Sequence, residues 1–379
     1  MRDRTIARGG SVQVDAGNRT RLVVDSAVSA DQNIPCDEGR RALLLGASAA
    51  TVAAFTPFDS ARGNMPVVPS AGVPKQPDPG PIDAVPSPLP GFAYQRITTS
   101  GAVINVATRG NGAPLLLLHG YPENHRMWAR VAPSLAKDFS VVCADLRGYG
   151  DSSKPEGAPD HSNYSKRVMA TDMLEVMAAL GHHEFFVAGH DRGGRVAYRL
   201  ALDNPTVVKR LALLDIVSTK AVYEQVSMAL ATAYYHWYFL IQPRPLPERL
   251  IAGDPEFYLR KIFGKIGVDP GTFGEPVIAE YLRTFATPEG IHAACEDYRA
   301  GASIDIANDR ADVAAGRKIA CPTLILWGAR GTVGRLFQPL DTWRDLVEHP
   351  TGEAIDCGHY IPEEQPAETV RALTAFFRT

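Results

Sequence analysis

The amino-acid sequence contains a series of short, uninterrupted apolar runs, most of them followed by a turn and a helical pattern. A strand that is apolar along its whole length has both faces buried, which is typical of a parallel sheet covered by helices. Two alternating runs precede the series, at residues 92–99 and 102–108, and predict an antiparallel pair. The continuous runs are Pro114–Leu118, Val141–Ala144, Phe185–Ala188, Leu211–Leu214 and Thr323–Leu326. The chain is therefore predicted to be an α/β protein with a mostly parallel sheet flanked by helices.

Residues 218–308 interrupt this rhythm. The segment is rich in aromatic residues, and its helical patterns are broken by prolines. Because a strand-like run returns at Thr323, the segment is an insertion between two core strands. Such an insertion is well placed to cover the carboxyl ends of the strands, where ligands bind in this class of sheet. We therefore predict a helical cap at residues 218–308 and a core formed by residues 92–217 and 309–379.

The part of the chain before the core has a different composition. Within residues 1–61, the pair Arg40-Arg41 precedes a short apolar stretch that ends near Phe55, as in a twin-arginine export signal. Residues 62–91 are rich in proline and predict an extended linker. This leader predicts a periplasmic or exported protein. The alternative is an arginine-rich leader on a cytoplasmic protein.

Charge and cysteine content exclude several classes of partner. The formal net charge of −3 gives no reason to expect nucleic acid. No apolar run reaches the roughly 18 residues that are needed to cross a bilayer, so stable membrane insertion is not expected. The five cysteines show neither C-x-x-C spacing nor a dense framework, and we therefore expect neither zinc nor disulfides. The expected partner is a small molecule, bound without a metal or a cofactor.

The most informative motif is Gly189-His190-Asp191-Arg192-Gly193, between a buried strand and a helical pattern. A strand, a G-x-nucleophile-x-G turn and a helix form a nucleophile elbow, whose glycines let strand and helix approach closely. Here an aspartate stands where a serine is usual. The alternative is a glycine-rich turn with an exposed aspartate.

A carboxylate at this position favours displacement at an sp3 carbon. Asp191 would attack in line to form an ester, and water would then attack the ester carbonyl and regenerate the aspartate. His359, which follows Gly358 near the C-terminus, is the candidate base that activates this water. Such a pathway suits halides and epoxides.

The hydrolytic step creates an oxyanion, which needs preorganised donors. The run His119-Gly120-Tyr121-Pro122 directly follows a predicted strand and has the form of a loop that supplies a backbone N–H. The candidate oxyanion hole consists of the backbone N–H groups of Tyr121 and Arg192. The alternative is that His119-Gly120 is only a tight turn.

Taken together, these motifs resemble the fluoroacetate and haloacetate dehalogenases of the α/β-hydrolase fold, from about residue 92 to residue 377. The matched blocks are residues 119–124, 145–152, 189–195, 236–237 and 295–301. The block at 145–152 is shared with many epoxide hydrolases and does not discriminate. The resemblance also implies a homodimer.

The resemblance assigns roles to four further residues. No acid follows Trp327-Gly328, where many relatives carry one, whereas Asp215 ends a predicted strand, and the resembled family places there the acid that orients the histidine. The family also implies that His236, Trp237 and Tyr298 donate hydrogen bonds to a departing halide. Without the resemblance, these aromatic residues would more often be core packing.

Arg192 and Arg195 indicate the charge of the substrate. In relatives that use alkanes or epoxides, a tryptophan usually follows the nucleophile, but here an arginine does, and Arg195 lies three residues on, on the same helix face. Two guanidinium groups beside an attacking carboxylate would hold an anionic substrate carboxylate and offset its repulsion from Asp191. The alternative is that both arginines form surface salt bridges.

The sequence therefore predicts hydrolytic dehalogenation of haloacetate, with fluoroacetate included, to the 2-hydroxyacid and halide. Two alternatives remain. An epoxide hydrolase normally needs two cap tyrosines, which Tyr298 and one of several nearby tyrosines could supply. A non-catalytic hydrolase-fold protein that binds a small acid would typically lose one of the three catalytic residues, and none is missing here.

Overall fold

A computed structural model describes residues 89–265 and 267–379. The predicted leader (1–61) and nearly all of the predicted linker (62–91) lie outside these residues, so both remain predictions. In the described part of the chain, no helix is long and apolar enough to cross a membrane.

The core is a sheet in which seven strands coincide with the predicted alternating and apolar runs, while an eighth strand, the last along the chain, falls outside those runs. The strands are β1 (Ala93–Thr98), β2 (Val103–Arg109), β3 (Ala113–Leu118), β4 (Phe139–Ala144), β5 (Phe185–His190), β6 (Val208–Leu214), β7 (Thr323–Gly328) and β8 (Pro350–Ile355). Their order across the sheet is β1-β2-β4-β3-β5-β6-β7-β8. β2 is antiparallel to β1 and β4, and β3 to β8 are mutually parallel. The predicted fold class is confirmed.

Helices surround this sheet. They are α1 (Ala132–Leu135), α2 (Lys166–Ala179), α3 (Asp191–Asp203), α4 (Thr219–Glu224), α5 (Met228–Ala233), α6 (Tyr235–Phe239), α7 (Leu246–Gly253), α8 (Pro255–Phe263), α9 (Glu275–Phe285), α10 (Pro288–Ala300), α11 (Ile306–Ala314), α12 (Thr332–Leu336), α13 (Pro339–Trp343), α14 (Ile361–Glu364) and α15 (Pro366–Arg378). Two 3₁₀ turns (His125–Arg130 and Ser162–Tyr164) and one π-helical turn (Gly301–Asp305) complete the set within the described residues.

The run Leu115–Leu118 in β3 shows how the sheet is buried on both faces. Leu116 and Leu118 pack in the hydrophobic cluster that includes α2 and α3, whereas Leu115 and Leu117 pack in the cluster that includes α1 and α15. All four side chains are fully buried. Because successive side chains of a strand point to opposite faces, an unbroken apolar run is stable only between two layers of helices. Each buried leucine contributes roughly 1.5–3 kcal/mol relative to an exposed one.

The segment between β6 and β7 contains α4 to α11 and, within the described residues, no strand. Polar caps and prolines begin several of these helices. Thr287 accepts a hydrogen bond from the Gly290 N–H at 3.0 Å, and Pro288 occupies the first turn of α10. The predicted boundary at residue 308 falls inside α11. The division into core and cap remains a prediction.

The strand order reverses direction at β3, which has β4 on one side and β5 on the other. In open α/β sheets, ligands bind beyond the carboxyl ends of the strands at such a switch point. The loop after β3 and the turn from β5 into α3 both lie there. The sheet therefore brings the predicted oxyanion loop to the predicted elbow.

Candidate active site

Asp191 is the first residue of α3 and has a positive φ of 44°. Such a conformation is strained for a residue with a side chain, and it persists only where the surroundings enforce it. The flanking glycines are needed for this packing. A Cβ atom on Gly189 would lie 2.5 Å from the Gly193 carbonyl oxygen, and one on Gly193 would lie 2.3 Å from the His119 carbonyl oxygen. The local geometry is that of a sharp strand-to-helix turn that presents Asp191.

The loop after β3 contacts the Asp191 carboxylate directly. The Tyr121 backbone N–H donates to Asp191 Oδ1 at 3.0 Å. Gly120 makes this approach possible, since a Cβ atom there would lie 2.6 Å from the Asp191 Cβ. The loop is thus more than a tight turn. It fixes one carboxylate oxygen and leaves Oδ2 on the side of His359.

His359 and Asp215 lie next to this carboxylate. His359 Nδ1 is 2.6 Å from Asp215 Oδ2, and His359 Nε2 is 3.6 Å from Asp191 Oδ2. Asp215 also accepts a hydrogen bond from the Gly328 N–H at 2.8 Å through Oδ1. The carboxylate of Asp215 therefore holds the imidazole so that Nε2 faces Asp191.

Burial affects the three groups differently. Burial alone would raise the pKa of Asp191, but its interactions with the His359 imidazole and with the Lys265 ammonium group hold that pKa below its usual value, which favours the ionised carboxylate. Burial lowers the pKa of His359 well below its usual value, and the imidazole is neutral. Burial raises the pKa of Asp215 to about 7. A neutral imidazole with a free Nε2 lone pair can accept a proton from water.

Arg192 and Arg195 are buried in the protein interior, so the alternative of surface salt bridges is excluded. Arg192 forms a two-point ion pair with Asp297, from Nε to Oδ2 and from Nη2 to Oδ1, both at 2.8 Å. Arg195 has neutral partners: its Nη1 donates to the Val217 carbonyl oxygen at 3.0 Å and to Thr219 Oγ1 at 3.1 Å. The two arginines therefore have unequal surroundings.

His236 and Trp237 lie in α6, and Tyr298 lies in α10. The three rings form one cluster, because the Tyr298 ring centre is 5.8 Å from that of His236 and 5.5 Å from that of Trp237. The cluster reaches the arginines. The guanidinium carbon of Arg192 is 4.2 Å from the Tyr298 ring centre, and that of Arg195 is 4.5 Å from the Trp237 ring centre.

Several buried polar atoms of this cluster have no hydrogen-bond partner within residues 89–265 and 267–379. They are Arg192 Nη1, Arg195 Nε, His236 Nδ1, Tyr298 Oη and His359 Nε2. Buried polar groups are normally paired, and leaving one unpaired costs about 1–3 kcal/mol. Burial also keeps the Tyr298 phenol protonated, because its pKa lies well above the usual value. The arrangement is suited to a small polar ligand that carries negative charge.

The structure brings together every predicted site residue, and it adds residues that sequence reasoning missed. Asp297 lay inside a matched block but had no assigned role, and Lys166, which contacts Asp297, belongs to no motif. Lys265 is also close, with its ammonium nitrogen 5.4 Å from the Tyr360 ring centre, and the Tyr360 ring centre is 4.8 Å from that of His359. No local sequence signal marks the two lysines.

A cavity exists elsewhere on the surface. It has a volume of about 760 Å³, and its lining includes Ser218, Arg335 and Asp345 but none of the predicted site residues. Its charged side chains are paired in part, as Lys220 is with Glu224 at 3.0 Å. The strained Asp191 and the unpaired polar atoms, rather than cavity volume, identify the candidate active site.

The strand order, the elbow and the Asp191–His359–Asp215 arrangement define a hydrolase of the α/β-hydrolase class. Comparison with known proteins agrees with this geometry, since the model of the alpha/beta hydrolase fold family matches residues 113–366. A crystal structure of an alpha/beta hydrolase from Nostoc sp PCC 7120 superimposes with a TM-score of 0.74 and 53% identity, covering 76% of this chain and 98% of that chain.

Two curated relatives with different activities are similar to this chain over most of their length. The chain is 45% identical over 287 residues to the fluoroacetate dehalogenase of Burkholderia sp, covering 76% of this chain and 94% of that protein. It is 34% identical over 291 residues to the soluble epoxide hydrolase of Corynebacterium sp. (strain C12), covering 76% of this chain and 97% of that protein. The chain belongs to the α/β-hydrolase fold family and, within it, to the dehalogenase family that the fluoroacetate dehalogenase represents.

Proposed function

We propose that the protein hydrolyses haloacetates, including fluoroacetate, to the 2-hydroxyacid and halide. The observation that carries the proposal is an ionised, buried carboxylate, Asp191, flanked by two buried guanidinium groups, Arg192 and Arg195. Bringing two anions together is unfavourable in a buried site unless cations offset their repulsion. A site for a neutral substrate would not need these arginines. The 45% identity to a fluoroacetate dehalogenase supports the same substrate class.

In the first step, Asp191 Oδ2 attacks the carbon that bears the halogen, and the carbon–halogen bond breaks as the carbon–oxygen bond forms. The halide departs with the bonding electron pair. The free donors of His236 and Tyr298, with the Trp237 N–H, would stabilise its developing charge. Arg195 and the free Nη1 of Arg192 would hold the substrate carboxylate. The helical segment at 218–308, which supplies the halide-binding residues, acts as the cap.

In the second step, water attacks the ester carbonyl carbon of Asp191. His359 Nε2 takes the proton of the water, and Asp215 stabilises the imidazolium that forms. The negative charge develops on the oxygen that already accepts the Tyr121 N–H at 3.0 Å, and the Arg192 N–H is the second proposed donor. Collapse of the intermediate releases the 2-hydroxyacid and regenerates the Asp191 carboxylate with one oxygen from water.

The test of this route is isotopic. A single turnover of chloroacetate in ¹⁸O-water should place the label in Asp191 and not in the product, since water attacks the protein ester. Asp191→Asn should release no halide, because an amide is a poor nucleophile, whereas His359→Gln should release one equivalent and then stall as the ester. Label that appears directly in the product, with none in the protein, would contradict the covalent route.

Epoxide hydrolysis is the second candidate, because of the 34% identity to a soluble epoxide hydrolase and the unpaired Tyr298 hydroxyl. The buried arginines argue against a neutral substrate. Assays of halide release from haloacetates beside diol formation from styrene oxide separate the two activities. A protein that releases neither product, yet binds acetate, would be the non-catalytic acid-binding alternative.

We also propose a homodimer. The described residues include large apolar side chains that are more than half exposed on α5, α7 and α8: Met228 (87%), Leu250 (62%) and Phe257 (60%). Exposed apolar surface of this kind often marks an interface. Sedimentation equilibrium would give the mass directly, and a monomer at micromolar concentration would contradict this proposal.

A further inference from the structure

Asp297 contacts two buried basic side chains, Arg192 and Lys166. It binds Arg192 through Nε and Nη2, on the side of the guanidinium group away from Nη1, which is unpaired within the described part of the chain. Its carboxylate binds Arg192 in the two-point geometry described above, and its Oδ1 also contacts the Lys166 ammonium group. The Tyr149 hydroxyl donates to its Oδ2 at 2.6 Å. Asp297, Arg192 and Lys166 are all at most 1% exposed. We call these three residues the charge triad.

The charge triad carries two positive charges and one negative charge. Without Lys166, the ion pair with Asp297 would neutralise Arg192 and leave little attraction for a substrate carboxylate. With Lys166, the triad has a net charge of +1. Charge interactions act strongly over several ångströms in a buried site, because the effective dielectric constant is low. Lys166 can therefore influence an anion bound at Arg192 without touching it.

Burial and the neighbouring Arg192 lower the pKa of Lys166 well below its usual value, whereas its direct contact with the Asp297 carboxylate favours the ammonium form. The Lys166 backbone N–H donates to Asp305 Oδ1 at 2.9 Å, and the ammonium group also contacts Met169 Sδ at 3.5 Å. Asp305 Oδ2 has no partner within the described residues. Burial raises the pKa of Asp305 above its usual value, which favours its neutral form.

Backbone geometry adds a steric constraint on Arg192. Gly301 begins the π-helical turn that follows α10, and a Cβ atom there would lie 3.3 Å from Arg192 Nη2. π-helical turns are rare and often occur at functional sites. The guanidinium group is thus held between Asp297, the Tyr298 ring and the Gly301 backbone, and among the described residues its Nη1 has no hydrogen-bond partner.

We propose that Lys166 and Asp297 are positioning residues for anion recognition: Asp297 orients Arg192, and Lys166 offsets the charge of Asp297 so that the site stays cationic. This inference rests on the proposed carboxylate-binding role of Arg192. It predicts that loss of the Lys166 charge and loss of the Asp297 charge change the affinity for a bound carboxylate ligand in opposite directions.

The test uses full-length protein and calorimetric binding of acetate, which has no halogen to lose, beside neutral acetamide. Lys166→Met should weaken acetate binding about tenfold and leave acetamide nearly unchanged, because one buried charge is lost. Asp297→Asn should bind acetate at least as tightly as the wild type, but it should turn over more slowly, since Arg192 loses its two-point partner. The Lys166→Met/Asp297→Asn double variant restores the net charge and should return acetate affinity to near the wild-type value.

Two controls separate charge from folding. Lys166→Arg keeps the charge and should keep the affinity. Lys209→Met removes an equal charge from an exposed pair with Glu184 and should change nothing. If Lys166→Met does not weaken acetate binding, or if it and Asp297→Asn weaken acetate and acetamide alike, the inference is wrong. Halide release by the wild type is measured in parallel, so that a protein with the predicted charge pattern but no dehalogenation would contradict the proposed function and not this inference.

Discussion

The two arginines beside Asp191 differ in what remains available for a ligand. The ion pair with Asp297 occupies Nε and Nη2 of Arg192. Within the part of the chain that the structure describes, Arg195 donates to neutral acceptors and its Nε has no partner. The Arg195 guanidinium group also lies over the Trp237 ring, which fixes its plane. We therefore expect Arg195 to contribute more than Arg192 to binding of a substrate carboxylate.

Arg195→Leu should reduce kcat/KM for chloroacetate at least about tenfold, since one charge-assisted hydrogen bond contributes about 1.5–3 kcal/mol. Turnover of the neutral analogue chloroacetamide should change far less. The measurement is chloride release from both substrates by the wild type and the variant. An equal loss for the two substrates would show that Arg195 is structural.

Asp215→Asn should separate the two chemical steps. Halide release in the first turnover does not require His359 to act as a base, so a burst of one halide per protein should remain. Steady-state turnover should fall at least about 100-fold, because an amide neither fixes the imidazole tautomer nor stabilises its cation. The fold should be retained, as the asparagine carbonyl oxygen can still accept the Gly328 N–H. If rapid-quench measurement shows no burst of halide, the assignment of His359 and Asp215 to the second step alone is wrong.

At the scale of elements, two helices that are distant in sequence build the proposed halide site. α6 supplies His236 and Trp237, and α10 supplies Tyr298. The Trp237 ring stacks on Tyr234 at 5.7 Å and meets Tyr298 edge to face at 5.5 Å. Each ring is thus held by others, which is the preorganisation that stabilisation of a small anion requires.

Trp237→Phe should reduce fluoride release more than chloride release. Fluoride is strongly hydrated and leaves carbon poorly, so its departure depends more on convergent donors than that of chloride. Phenylalanine keeps an aromatic ring at this position but removes the N–H donor together with part of the ring volume, and a Trp343→Phe variant with the same loss of volume is therefore the control. The measurement is fluoride release from fluoroacetate by ion-selective electrode beside chloride release from chloroacetate. Absence of fluoride release by the wild type, with normal chloride release, would contradict the fluoroacetate part of the proposal.

Trp343→Phe is the matched control for this variant. Trp343 is also fully buried, and its indole N–H donates to the Ile216 carbonyl oxygen at 3.1 Å. Loss of the Trp343 indole N–H should lower thermal stability, because the buried Ile216 carbonyl oxygen loses its donor. The ratio of fluoride release to chloride release should stay at the wild-type value.

For the whole molecule, the leader predicts export, and Arg40 and Arg41 lie outside the described residues. Replacement of both by lysine should retain the full-length protein in the cytoplasm, since twin-arginine signals are recognised by the arginine pair. Fractionation of cells that express wild type and variant, with immunodetection of the chain, measures this. If the wild type is found only in the cytoplasm, the export prediction is wrong.

Much of the molecule follows from local sequence pattern. The apolar runs predict the strands because burial on both faces leaves no polar position in a strand, and Leu115–Leu118 realise this pattern. The elbow is also a local feature, since Gly189 and Gly193 are needed within a few residues of Asp191. The identity of Asp191, the arginine that follows it and the absence of an acid after β7 are likewise visible in the sequence.

The tertiary structure alone decided the electrostatic surroundings of the site. Asp297 is 105 residues from Arg192 and 131 residues from Lys166 along the chain, and no periodicity or motif spacing records such contacts. The sequence indicated two cations for a substrate carboxylate, but it did not show that one of them is paired with a buried aspartate. Packing between α2, α3 and α10 brings these side chains together, and burial then strengthens the interactions between their charges. Local propensity determines which elements form, whereas the charge of the site depends on which elements come into contact.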